Sequence, residues 1–168
     1  MPDSYSSDTA RTILEQGGNA VDAAIAAQFV LAVTLPEAGN IGGGGFMLIQ
    51  KDGQGDFIDY RETAPKAAFR DMYLDAKGEV ERLKSLYGVL ASGTPGTVAG
   101  MAKAHDLHGS LPWAELVQPA VDLANKGFIV HPKLARNVAS YLERIDTRKL
   151  DVNFAEYFGT VKAGEVFV

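Results

Sequence analysis

The chain has 168 residues, 46 % of them hydrophobic and 22 % charged, which suits one globular domain with a sizeable core and excludes wholesale disorder. A formal net charge of −5 repels phosphate backbones, so nucleic-acid binding has no electrostatic support. The absence of cysteine excludes disulfides, thiolate metal sites and a cysteine nucleophile.

Met1-Pro2-Asp3-Ser4-Tyr5 has neither the basic nor the apolar region of a signal peptide. Residues 8–16 read as a helix stopped by Gly17-Gly18. Asn19 caps a second helix running to about Val33, with Asp22 in its first turn and Val21, Ile25, Phe29 and Val33 as one stripe among alanines. So smooth a helix fits a layer packed on both sides. It includes the longest apolar run, 23–35, which Gln28 and Thr34 interrupt and which is too short to span a bilayer. Pro36 ends it.

The run Gly39-Asn40-Ile41-Gly42-Gly43-Gly44-Gly45 leads into Phe46-Met47-Leu48-Ile49, apolar without alternation, as in a central strand covered on both faces. A phosphate loop would need a lysine-containing signature and a following helix. Here a strand follows, so the glycines read as close backbone packing. Residues 51–55 read as a hairpin loop and 57–61 as the returning strand, ended by Pro65. Further on, Thr94 and Pro95 are expected to start a helix with Val98, Met101, Ala102 and His105 on one face, closed by Gly109. Residues 112–126 form another, broken or restarted at Pro119 and closed by Gly127, with Trp113 plugging the core. Residues 132–145 form a third, striped by Leu134, Val138, Tyr141 and Ile145. From Asp146 the pattern fades, and the apolar end Glu165-Val166-Phe167-Val168 reads as a cut through a larger domain.

The stretches 17–24, Gly39–Met47, Asp59-Tyr60-Arg61-Glu62-Thr63-Ala64-Pro65, 93–100 (Gly93-Thr94-Pro95-Gly96-Thr97-Val98-Ala99-Gly100), 111–116 and 118–120 together resemble the γ-glutamyltransferase family, also known as glutathione hydrolase, from about Ser7 to His131. The resemblance implies an α+β fold, the αββα sandwich of the Ntn hydrolases, present here only in part. Residues 1–168 are then a single incomplete domain from the N-terminal part of the large subunit. The family's precursor cleaves itself, and the new N-terminal threonine, with its own amino group as base, takes the γ-glutamyl group of glutathione and passes it to water or an amino acid. That threonine lies outside this chain, so the chain holds no catalytic residue of its own and is expected to be inactive alone. Members are periplasmic or extracellular and use no cofactor and no metal. The implied partners are the rest of the large subunit, the small subunit and a γ-glutamyl donor, with no nucleic acid and no membrane. Rival readings are a related acylase, a poly-γ-glutamate-processing enzyme, and a non-catalytic interaction module.

The resemblance places the donor's α-carboxylate on Arg61, whose guanidinium fork suits two parallel hydrogen bonds. By the residues alone, the favoured reading of Arg61 is a structural pair with Glu62, Asp59 or Asp56, and the resemblance is what turns it toward the carboxylate. In an extended chain Glu62 points to the opposite face and anchors the loop, while Asp59 shares the face of Arg61 and orients it. Among the remaining polar candidates, Thr63, Thr94 and Thr97 act as nucleophiles only if cleavage falls immediately before them. His105 and His108 lack the carboxylate that would complete a zinc set, and His131 stands alone, so His105 is expected to pack or hydrogen-bond between helices.

Overall fold

The computed structural model describes residues 2–150 and 152–168. By compactness the chain divides into two units: Met1–Glu62 with Pro95–Ile129 and Val166–Val168, and Thr63–Thr94 with Val130–Glu165.

The first unit is built on two helices, α1 (Ser4–Glu15) and α2 (Ala20–Thr34). Helix α1 starts earlier than its periodicity suggests because Asp3 caps it, accepting from the Ser6 N–H at 2.7 Å. Gly17, at φ +91°, makes the left-handed exit that a side chain would resist. Asn19 and Asp22 then form a reciprocal capping box at the start of α2. Asp22 is fully buried and also receives the Ser110 N–H at 3.0 Å and the Ser110 hydroxyl, tying α2 to a loop 88 residues away. Burial pushes its carboxyl pKa up. The hydrogen bonds from Ser110, Asn19 and Leu111 outweigh that and hold it below the usual aspartate value.

Helix α2 is the centre of the core. Ile25, Ala26 and Val30 have no accessible surface, and α2 packs against α1, α3 (Thr97–His108) and α4 (Trp113–Lys126). Each buried Ile or Val contributes roughly 1.5–3 kcal/mol over its exposed state. Trp113 stands edge-on to Phe29 and His105, at 5.5 and 5.4 Å, partly buried at this core as expected. Helix α4 runs unbroken through Pro119, seven residues into it, and ends at Gly127 at φ +77°. On α3 the buried face is Thr97, Gly100, Met101 and Ala104, rotated from the expected one, and Val98 is exposed.

Strands β1 (Phe46–Lys51) and β2 (Gln54–Asp59) form an antiparallel hairpin in which Phe46 pairs with Asp59 and Lys51 with Gln54. Asp52 and Gly53, both at positive φ, make the two-residue turn that matches strand twist. Ile49 and Ile58 join the core, whereas Phe46, Leu48 and Phe57 on the other face are exposed, Leu48 at 80 %. The expectation of a strand covered on both faces therefore fails within this chain. A short pair, β3 (Phe128–Ile129) with β4 (Val166–Phe167), was not visible in the sequence pattern.

The second unit holds short 3-10 turns at Arg82–Ser85 and Val89–Ala91, helix α5 (Pro132–Arg148) and helix α6 (Phe154–Phe158). Leu134, Val138 and Ile145 of the expected α5 stripe are buried, and Tyr141 packs on Phe154 at 4.8 Å. Thr94 is not the helix cap its sequence neighbourhood suggests: it exchanges backbone hydrogen bonds with Thr63 in an isolated antiparallel bridge.

Candidate functional site

The site begins where the β1–β2 ladder runs out. Tyr60 N–H donates to the Gly45 carbonyl at 3.0 Å and Gly45 N–H returns the bond at 3.3 Å, extending the hairpin by one pair. Arg61 and Glu62 follow outside any strand, so strand alternation does not govern them. Glu62 is not directed away from Arg61; its Oε2 lies 2.9 Å from Arg61 Nε. That oxygen is inaccessible to solvent yet accepts no well-directed hydrogen bond. The contact is therefore an ion pair by distance, with the N–H aimed off the oxygen. The Arg61 side chain is 58 % exposed and that of Glu62 33 %. The guanidinium carbon sits 5.8 Å from the Phe46 ring centre.

Asp59 reaches the backbone of Arg61, not its guanidinium: its Oδ1 accepts the Arg61 N–H at 3.0 Å. Asp56, the third acidic candidate, lies 2.8 Å from His108 Nε2, and this hydrogen bond draws its carboxyl pKa below the usual value. Of the three carboxylates near Arg61 in sequence, the fold thus gives Glu62 to the guanidinium, Asp59 to the main chain and Asp56 to α3.

The glycines of 39–45 line this corner. A side chain at Gly44 would meet Glu62 N at 2.5 Å and Glu62 Oε2 at 2.6 Å. Gly43 carbonyl accepts the N–H groups of Gly96 and Thr97 at 2.8 and 3.0 Å, taking the first free donors of α3. Asn40 Oδ1 accepts from Gly43 N–H at 2.9 Å and from the Thr97 hydroxyl at 2.6 Å. The loop is therefore bound to a helix start through the Gly43 carbonyl and the Asn40 side chain.

Other polar candidates lie elsewhere. His105 Nε2 is 2.7 Å from the Leu111 carbonyl, the helix-interface role expected of it. His131 caps α5 through Nδ1 at 3.2 Å from Lys133 N. Among the described residues no three His, Cys, Asp or Glu side chains gather to hold a metal, and no helix is long and apolar enough to cross a membrane. What sequence reasoning missed is Tyr60. Its ring lies against Gly45 and Gly100, and its carbonyl lies against Gly96. The visible signal was the pair of glycines four apart, Gly96 and Gly100, on one side of a helix opposite an aromatic.

Known proteins with this architecture define its class. The γ-glutamyltranspeptidase of Pseudomonas nitroreducens, solved in complex with L-DON, superposes with a TM-score of 0.93 at 51 % identity over 99 % of this chain and 49 % of its own. The chain is a partial Ntn-hydrolase fold of mixed helix and strand. The gamma-glutamyltranspeptidase family model matches residues 6–168, and the chain belongs to that family. The glutathione hydrolase proenzyme of Pseudomonas aeruginosa is 54 % identical over 99 % of this chain, and that of Escherichia coli 56 % identical over 77 %. The chain spans only 29 % and 22 % of those two relatives.

Proposed function

We propose that these residues are the opening portion of the large subunit of a γ-glutamyltransferase, or glutathione hydrolase, and form part of one incomplete domain. In the whole enzyme a threonine freed at the N-terminus of the small subunit attacks the γ-carbonyl of glutathione or a related amide, its own amino group taking the hydroxyl proton. The amine leaves, and water or an amino acid then removes the γ-glutamyl group. No cofactor or metal takes part. The remainder of the large subunit and the small subunit are the partners.

Within this scheme Arg61 receives the donor's α-carboxylate, supported by Glu62 and Asp59. The observation that carries the reading is the half-exposed Arg61 side chain at the hairpin's end. Glu62 lies beside its Nε, Phe46 lies under it, and Asp59 fixes the main chain that bears it. A planar fork supported on one side and open on the other matches what a carboxylate needs.

Two measurements test the proposal. The purified chain should not turn over γ-glutamyl-p-nitroanilide, and clear turnover refutes the assignment of the nucleophile to another segment. In the complete enzyme, Arg61→Lys should raise KM for the donor about tenfold or more, because a point charge loses the bidentate geometry. An unchanged KM removes Arg61 from the site.

A further inference from the structure

Tyr60 is enclosed by three glycines from two separated segments. A methyl group at Gly45 would come within 2.9 Å of the Tyr60 ring. One at Gly100 would overlap the ring's first carbons, and one at Gly96 would overlap the Tyr60 carbonyl. Because the loop carbonyl at Gly43 also holds the start of α3, the hairpin end and the helix are locked together around this side chain. Burial raises the Tyr60 hydroxyl pKa, and that hydroxyl makes one long contact, 3.5 Å, to the Phe46 carbonyl. The ring is what the socket holds, not the hydroxyl. The next residue is Arg61, and it stands outside the ladder with no strand pairing of its own.

We infer that the glycine socket of Gly45, Gly96 and Gly100 around the Tyr60 ring is a positioning device that sets the direction of the Arg61 guanidinium and so the enzyme's selectivity for an α-carboxylate. This rests on the carboxylate-binding role proposed for Arg61. Beyond the backbone pair of Tyr60 with Gly45 and the Asp59 hydrogen bond at 3.0 Å, the seat of the Tyr60 ring is what fixes the direction in which the Arg61–Glu62 pair leaves the hairpin. A displacement of about an ångström in a charged, bidentate contact is enough to cost one or two orders of magnitude.

The test uses full-length enzyme, made by placing this segment in the matching position of the 54 % identical Pseudomonas aeruginosa proenzyme. The readout is the ratio of kcat/KM for γ-glutamyl-p-nitroanilide to that for the same compound with its α-carboxylate converted to a primary amide. Gly100→Ala, which pushes the ring out, and Tyr60→Leu, which empties the socket without adding bulk, should each lower this ratio about tenfold, chiefly through KM. Tyr60→Phe should keep it. If both disruptive variants slow the two donors equally, the socket is only structural and the inference fails. Arg61→Gln separates this from failure of the underlying reading: it should collapse the ratio, and an unchanged ratio there overturns the carboxylate role itself and the socket's purpose with it. If Gly100→Ala does not mature, Tyr60→Leu decides.

Discussion

Helix α2 and the apolar run Phe46-Met47-Leu48-Ile49 of β1 both read as surfaces packed on both sides, yet only the helix finds that cover. Ile25 in α2 has no accessible surface, while Leu48 in β1 is 80 % exposed. The difference lies in the range of the partners. Helix α2 meets α1, α3 and α4, all within the same 168 residues. The hairpin finds cover for Ile49 and Ile58 there, and leaves Phe46, Leu48 and Phe57 more than half exposed. An apolar pattern states that a surface is meant to be covered; it does not state by which part of a protein. A segment spanning 29 % of a relative keeps the pattern of the whole and only some of its partners.

The largest effect expected from this contrast is Ile25→Ala. Removing three carbons from a fully enclosed site should lower unfolding free energy by about 3 kcal/mol. The single tryptophan, Trp113, stands against Phe29 of the same helix and reports unfolding of this core in urea. A loss below about 1 kcal/mol would mean that α2 is loosely packed and no different in kind from the hairpin.

Next in size is Asp22→Ala, which removes a capping box and leaves the N–H groups of Asn19 and Ser110 without their acceptor. About 2 kcal/mol should be lost. Asp22→Asn supplies the pH test. The folded-state pKa of Asp22 is depressed, so its contribution is fully present above the usual aspartate value, near 3.9, and is lost as pH falls through the lower folded value. The wild-type chain should therefore lose its stability advantage over Asp22→Asn as pH drops from about 5 toward 2. Parallel pH profiles for the two proteins would show that the Ser110 junction does not depend on the charge.

How much was readable follows the same division by range. The Gly17 exit, the Asn19–Asp22 start of α2 and the Asp52-Gly53 turn are local: each depends on neighbours within four residues, and each was legible. The start of α3 is misleading in sequence because Thr94 and Pro95 look like a cap, while the helix's first donors are taken by Gly43, more than fifty residues earlier. The buried face of α3 is misplaced for a similar reason, since Gly100 counts as nothing in a hydrophobic stripe yet is where Tyr60 lies. At the candidate site, resemblance pointed to Arg61. The partition of Asp56, Asp59 and Glu62 among His108, a backbone N–H and the guanidinium was not legible, because it depends on where β2 ends.

The smallest expected effect is the most discriminating. Leu48→Lys places a charge on the outer hairpin face, beside the stacked rings of Phe46 and Phe57, whose centres are 5.8 Å apart. In the isolated chain Leu48 is 80 % exposed and its neighbours Phe46 and Phe57 are more than half exposed, so the unfolding free energy should change by less than about 0.5 kcal/mol. In the full-length enzyme the proposed function requires the rest of the sandwich to lie over the same face. There the same lysine would be buried without a partner, and soluble, matured enzyme should fall sharply. The isolated chain offers a second readout: any association through the bare apolar face should weaken in sedimentation velocity in the Leu48→Lys variant. If the substitution instead destabilises the isolated chain as much as Ile25→Ala does, the outer face is already packed within these residues. Helix and hairpin would then differ in nothing, and the claim that the hairpin's cover comes from another segment would be wrong.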